Sequence, residues 1–243
     1  MTGPEPAEVP GRGGEWFVPR WGPRKMRTFM GLLFLPYTGM VLSFAVVGSV
    51  LAEPVHYDRL AAIVLIYFFG LGVAAHALDA LGSGGVKPWG SVFSKAQLWV
   101  LTAISLALAY GIALYYILSA VPWLGLVAVL EGFFVFAYNL ELFAGRFHTD
   151  RWFAVSWGAL PVLAGYLMQT DRLSLPALLL AAAMGLFSLI EIKVSRPYKE
   201  LKRRADRDGV DQALMERYEM LLKCVSLGVI VLAAGLLLWR ITG

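Results

Sequence analysis

Seven long apolar stretches leave this chain few ways to fold. They run near Phe29–Leu51, Leu60–Leu81, Leu98–Leu118, Val121–Leu140, Trp152–Met168, Leu175–Ile192 and Cys224–Leu238. A helix that crosses a bilayer needs roughly 20 mostly apolar residues, so each stretch can span or nearly so. Inside hydrocarbon the backbone must satisfy its own hydrogen bonds, which leaves helices or closed barrels. Barrel strands alternate apolar and polar residues, and these stretches do not. The expectation is an all-α, polytopic transmembrane bundle of about seven helices.

Composition agrees. Of 243 residues, 58% are hydrophobic and 16% charged, against about 45–50% and about 25% in soluble domains. This excludes a disordered chain, a collagen-like fibre and a disulfide scaffold, and argues against a water-soluble globule. Cys224 is the single cysteine and has no partner within the chain.

The basic residues are unevenly placed. All the lysines and arginines except Arg59, Arg172 and Arg240 fall in the N-terminal tail or in the second, fourth and sixth loops. The positive-inside rule then puts the N-terminus in the cytoplasm and the C-terminus outside, in what is expected to be the plasma membrane of a prokaryote. Trp89, Trp99, Trp123, Trp152 and Trp239 fall near the expected helix ends, as in an aromatic belt. The first apolar stretch is too long for the h-region of a signal peptide. Residues 1–28 read as a cytoplasmic tail, disordered over Met1–Gly14, with Trp16, Phe17 and Trp21 beside Arg20, Arg24 and Lys25 as an interfacial anchor. Residues 29–243 form the transmembrane domain. Its cytoplasmic loop and helix, 193–223, has Asp208 or Asp211 as N-cap candidate.

Ionisable side chains are costly within a bilayer, so those inside or at the ends of the apolar stretches are the functional candidates. They are His76 and Asp79 near the inner end of the second helix, Glu131 within the fourth, Glu141 at its inner end, and Glu191 at the inner end of the sixth. His76 and Asp79 are three apart, share a helix face and can touch. Asn139, Arg146, Lys193, Arg196 and Tyr198 lie close by in sequence. Together they suggest a polar pocket facing the cytoplasm and roofed by basic loops, suited to an anionic headgroup or diphosphate. The plainer reading makes Asp79 and Glu191 interfacial residues that reach water, His76 a packing residue and Lys199–Arg207 a surface facing headgroups. Glu131, near mid-helix, needs a partner inside the bundle.

Several activities lack their residues. His56 and His148 lie in loops on opposite sides, so no heme is expected. Retinal is not expected either, because Lys223 only begins the seventh helix and the third has no acidic counter-ion. There is no H-E-x-x-H, and Gly82-Ser83-Gly84-Gly85 lacks the Lys-Ser/Thr ending of a P-loop. No nucleic-acid partner is expected.

The order of features resembles the UbiA-type membrane prenyltransferase superfamily over roughly residues 24–240. A basic stretch, Arg24–Arg27, precedes a helix broken at Leu35-Pro36-Tyr37-Thr38-Gly39. The segment Ala75-His76-Ala77-Leu78-Asp79-Ala80-Leu81-Gly82-Ser83, followed by Lys87-Pro88, stands where the family has N-D-x-x-D-x-x-x-D and a basic loop. Tyr138–Arg146 and Trp157–Tyr166 resemble the fourth and fifth helices, and Glu191–Ser195 stands at the second Asp-rich motif. The resemblance implies Mg²⁺ on Asp79 and Glu191, and diphosphate on Tyr138, Asn139, Arg146, Lys193 and Arg196. It also implies transfer of a prenyl group to an acceptor in the membrane. Of the first motif only Asp79 is kept, and Leu142 replaces the lysine of the family's Y-x-x-x-K.

Three functional expectations follow. One is a divergent prenyltransferase-like enzyme, with Asp79, His76 and Glu191 catalytic. Another is a silent relative that binds lipid, quinone or carotenoid, or is a subunit of a membrane complex. The third is different chemistry on the same scaffold, with His76 and Asp79 as an acid–base pair.

Overall fold

The structure, a computed structural model, describes residues 15–82, 92–204 and 211–243. Met1–Gly14, Ser83 to Gly85, Lys87, Pro88, Trp89, Arg207 and Asp208, all invoked above, lie outside the described residues. Among the described residues the chain is all-helical, with no strand.

The elements in chain order are α1 (Arg24–Leu33), α2 (Leu35–Val50), α3 (Tyr57–Tyr67), α4 (His76–Gly82), α5 (Lys95–Ser119), α6 (Leu124–Asn139), α7 (Asp150–Ala154), α8 (Leu160–Thr170), α9 (Leu175–Arg204) and α10 (Gln212–Thr242). A π-helical segment, Phe68–Ala75, joins α3 to α4, and a second, Val155–Ala159, joins α7 to α8. Each of the seven apolar stretches is helical for most of its length, the first across the bent pair α1 and α2.

Four runs are long and apolar enough to cross a membrane: Tyr57–Gly82, Lys95–Ser119, Leu175–Lys202 and Gln212–Thr242. The pair α1 and α2, bent by 43°, makes a fifth if taken as one span. α6 is apolar but only 16 residues long. The α7–α8 run is tempered by Ser156, Gly158, Pro161 and Gln169.

The bend between α1 and α2 sits at Phe34, in the left-handed region at φ 45°. Pro36 then occupies the first turn of α2, where its missing N–H costs nothing. Most of α2 is buried, and it packs mainly on α8 and α10. Its crossing with α8 brings backbone against backbone. A Cβ on Gly48 would lie 2.0 Å from the Val162 carbonyl oxygen, and one on Gly165 would lie 2.1 Å from that of Ala45. The Ser49 hydroxyl donates to the Gly165 carbonyl across this contact at 3.2 Å. Gly158 meets Gly185 of α9 in the same manner, 2.8 Å from a Cβ position to its Cα.

α5 and α10 lie at the rim. α5 buries Leu98, Thr102, Ser105, Ala109 and Ala113, a stripe of helical period, and exposes Ile104, Leu114 and Leu118. An apolar outer face on a rim helix is what hydrocarbon as solvent requires.

The two ends of the bundle differ. At one, Arg240 donates to the Val50 carbonyl at 2.8 Å, Arg59 to the Gln169 carbonyl at 3.2 Å, and the Gln169 side chain pairs with the backbone of His56. At the other, α9 and α10 project as long helices tied through Tyr198, whose hydroxyl donates to Glu219 at 3.1 Å. α10 starts at Asp211, whose carboxylate accepts from the Leu214 N–H at 2.9 Å, so the expected loop and helix at 193–223 is shared between the ends of α9 and α10. The tail docks here too. Glu15, buried, takes a 3.0 Å ion pair from Lys202, Phe17 packs edge-on against Phe34, and the Lys223 ammonium lies over the Trp16 ring. Trp16 and Phe17, expected as a membrane anchor, thus contact this end of the bundle, while Trp21 remains exposed.

Candidate functional site

A cavity of about 190 Å³ opens within this second end, between α2, α4, α6, α7 and α9. The helices deliver its walls in register. α9 contributes Glu191, Ser195 and Lys199 at intervals of four, hence from one face, with Arg196 and Ile192 beside them. α4 contributes His76 and Asp79, and α6 ends with Tyr138 and Asn139. Tyr37 and Phe34 come from the α1–α2 bend. Phe153 comes from α7 and Trp157 from the second π segment.

The second π segment supplies Trp157 to the cavity wall, and the first runs up to His76, the first residue of α4. The wider π turn re-aims the side chains that follow it, which is why such segments collect at sites.

One wall is aromatic. Tyr37 stacks on Phe153 with ring centres 5.2 Å apart, Phe153 stacks on Trp157 at 5.6 Å, and Trp157 lies 5.5 Å from the His76 ring. His76 Nε2 is 3.4 Å from the Thr38 hydroxyl, which donates to the Leu33 carbonyl. The other wall is charged. Glu191 is 3% exposed, and its Oε2 has no hydrogen-bond partner among the described residues. Asp79 is half-buried. Arg196 lies 3.0 Å from Asp150 Oδ1, and Lys193 lies 3.1 Å from Oδ2 of the same carboxylate. Asp150 opens α7, where the helix dipole favours a negative charge. The Asn139 amide donates to the Val135 carbonyl at 2.8 Å.

Of the residues singled out from sequence, His76, Asp79, Tyr138, Asn139, Glu191 and Arg196 line this one cavity. Lys193 and Arg146 are exposed outside it, Lys193 on Asp150. Glu141 is exposed as well, in a loop where Glu141, Phe143 and Ala144 take positive φ. Sequence reasoning missed the site roles of Phe34, Tyr37, His148, Phe153, Trp157, Ser195 and Lys199. Helical spacing from Glu191 would have found Ser195 and Lys199. His148 could not be found so. It enters because the loop after α6 folds back, stacking its ring on Tyr138 at 4.5 Å and setting Nδ1 2.9 Å from the Tyr138 carbonyl.

The donor set bears on the Mg²⁺ implied above. Asp79 and Glu191 are the two carboxylates of the cavity wall. Among the described residues no group of three or more His, Cys, Asp or Glu could hold a metal ion. Mg²⁺ keeps several waters and takes one or two carboxylates plus ligand phosphates. Two carboxylates are enough for at most one such ion completed by waters and ligand phosphates, and too few for a cluster of ions.

No family model, curated protein or solved structure matches the chain.

Proposed function

We propose that this is a UbiA-like integral membrane protein that binds an isoprenoid diphosphate in the 190 Å³ cavity. The observation that carries the reading is the pairing of an aromatic wall with a charged one. Stacked Tyr37, Phe153 and Trp157 suit the allylic end of a prenyl chain, while Arg196 and Lys199 suit the diphosphate. Ligand pockets for drug-sized molecules are about 300–1,000 Å³. A smaller space takes the headgroup and first isoprene unit, with the remaining chain between helices in the lipid. In this reading Arg196 and Lys199 hold phosphate oxygens, Tyr138 and Asn139 orient them, and Asp79 and Glu191 would hold a single Mg²⁺. That ion would neutralise charge on the diphosphate. His76, beside the aromatic wall, is placed to exchange a proton with an acceptor.

We propose further that all seven helical runs span the membrane, with the N-terminus cytoplasmic. Two features support this. Each apolar stretch is helical for most of its length, and the cations crowd one end of the bundle.

The test is calorimetric titration of the detergent-purified protein with geranylgeranyl diphosphate, with and without Mg²⁺. Saturable, Mg²⁺-dependent binding that Asp79→Asn abolishes is expected. Absent or Mg²⁺-independent binding overturns the prenyl diphosphate reading.

A second reading has its own support. Arg196 and Lys193 are already committed to Asp150, and the carboxylates are few. A catalytically silent relative, holding a neutral lipid or serving a membrane complex, would have that arrangement. Its mark is lipid or protein that co-purifies in mild detergent and is indifferent to Asp79→Asn.

A further inference from the structure

A second cavity, of about 60 Å³, lies between α3, the first π segment, α5 and α6, and is separate in its lining from the charged one. Its wall is apolar, with small residues such as Gly70, Ala109, Ala113, Ala128 and Gly132 set among larger aliphatic ones. Glu131 interrupts it. Oε1 of this carboxyl accepts from the buried Tyr67 hydroxyl at 2.9 Å, whereas Oε2 is buried and has no hydrogen-bond partner among the described residues. Tyr110, the other polar side chain of the wall, is occupied: its hydroxyl donates to the Ala128 carbonyl at 2.9 Å. It passes so close over Gly132 that a Cβ there would lie 2.0 Å from its oxygen. Glu131 as a residue is only half-buried, and α5 in front of it turns Ile104, Leu114 and Leu118 outward. The cavity therefore lies beneath a face made for hydrocarbon.

The chemistry of the occupant follows from what the wall offers, which is one unpaired carboxyl oxygen in apolar surroundings, an acceptor when the carboxyl is ionised and a donor when it holds its proton. A water needs about two to four polar partners to be held, and a cation needs several oxygens. A hydroxyl on an apolar body needs one. We propose that Glu131 and Tyr67 form a lipid-accessible site for the hydroxyl group of a membrane-dissolved alcohol or phenol, which donates to Glu131 Oε2 when the carboxyl is ionised and accepts from it when it is protonated. The cavity admits the hydroxyl and its first carbons, and the apolar body lies outward between α5 and α6. This site is independent of the charged cavity and of any diphosphate bound there.

The test uses the whole protein in phosphatidylcholine vesicles and the lipid-soluble reagent dicyclohexylcarbodiimide. The reagent adds to a carboxyl group to give an N-acylurea with no leaving group, and peptide mass spectrometry reads modification at Glu131. Decan-1-ol is expected to slow that modification about three- to tenfold relative to decane at equal membrane content, the ratio that one hydrogen bond supplies. Ala109→Leu fills the cavity while leaving the carboxyl in place, and is expected to remove the difference between alcohol and alkane. Failure of Glu131 to react, equal protection by decane, or alcohol protection that survives Ala109→Leu each overturns the proposal.

Discussion

Glu191 hides one carboxylate oxygen from every donor among the described residues while remaining 3% exposed. A buried polar group left unsatisfied costs about 1–3 kcal/mol, and chains retain such costs where function requires the group. Glu191→Met should therefore raise the thermal unfolding midpoint in detergent while weakening geranylgeranyl diphosphate. A lowered midpoint would make Glu191 a structural residue. Arg196 allows a sharper comparison. Hydrogen bonds to charged groups contribute about 1.5–3 kcal/mol, so Arg196→Ala should weaken the diphosphate about ten- to hundredfold. Asp150→Asn, which removes the partner and keeps the arginine, should not weaken it. Equal losses in the two variants would assign Arg196 to holding α9 against α7. His76, Asp79 and Glu191 were legible in the sequence because charge stands out against apolar stretches. Tyr37, Phe153 and Trp157 were not, because an aromatic ring in such a stretch carries no mark that separates a cavity wall from a core.

The bundle depends on close helix crossings. At the α2–α8 crossing any side chain on Gly48 or Gly165 meets a carbonyl oxygen of the opposing backbone. Gly165→Leu should abolish a monodisperse peak in size-exclusion chromatography. Gly111→Ala, where nothing lies within 4 Å of the new methyl group, should leave the peak intact and stabilise the exposed helix by about 0.5–1 kcal/mol. The helical runs were readable from hydropathy, and the start of α10 was narrowed to Asp208 or Asp211, of which Asp211 is the cap. The break at Phe34 was readable to within a residue or two from Pro36. The π segments were not, since a wider turn leaves the same apolar residues in the same order. Nor was the docking of Glu15 and Trp16, which depends on Tyr198, Lys202 and Lys223 converging from two distant helices.

At the scale of the whole molecule, the proposed orientation rests on charge placement and is tested by labelling. In a Cys224→Ala background, a cysteine at Arg20 should react with an impermeant maleimide only after the cells are opened, and one at Gly243 should react on intact cells. The reverse pattern would invert the bundle. α9 and α10 have 30 and 31 residues, or roughly 45 Å each at 1.5 Å per residue, against a hydrocarbon core of about 30 Å. Both can therefore reach well past the lipid. In α9 that overhang continues the rod that carries Glu191, Ser195 and Arg196. Pro197, one residue further on, removes the hydrogen bond that would close the turn to Lys193. The missing bond falls inside the stretch of α9 that lines the cavity, between Glu191 and Lys199. Tyr198, which ties α9 to Glu15 of the tail and Glu219 of α10, follows directly on that open turn, so tail and α10 are both fastened beside the cavity wall.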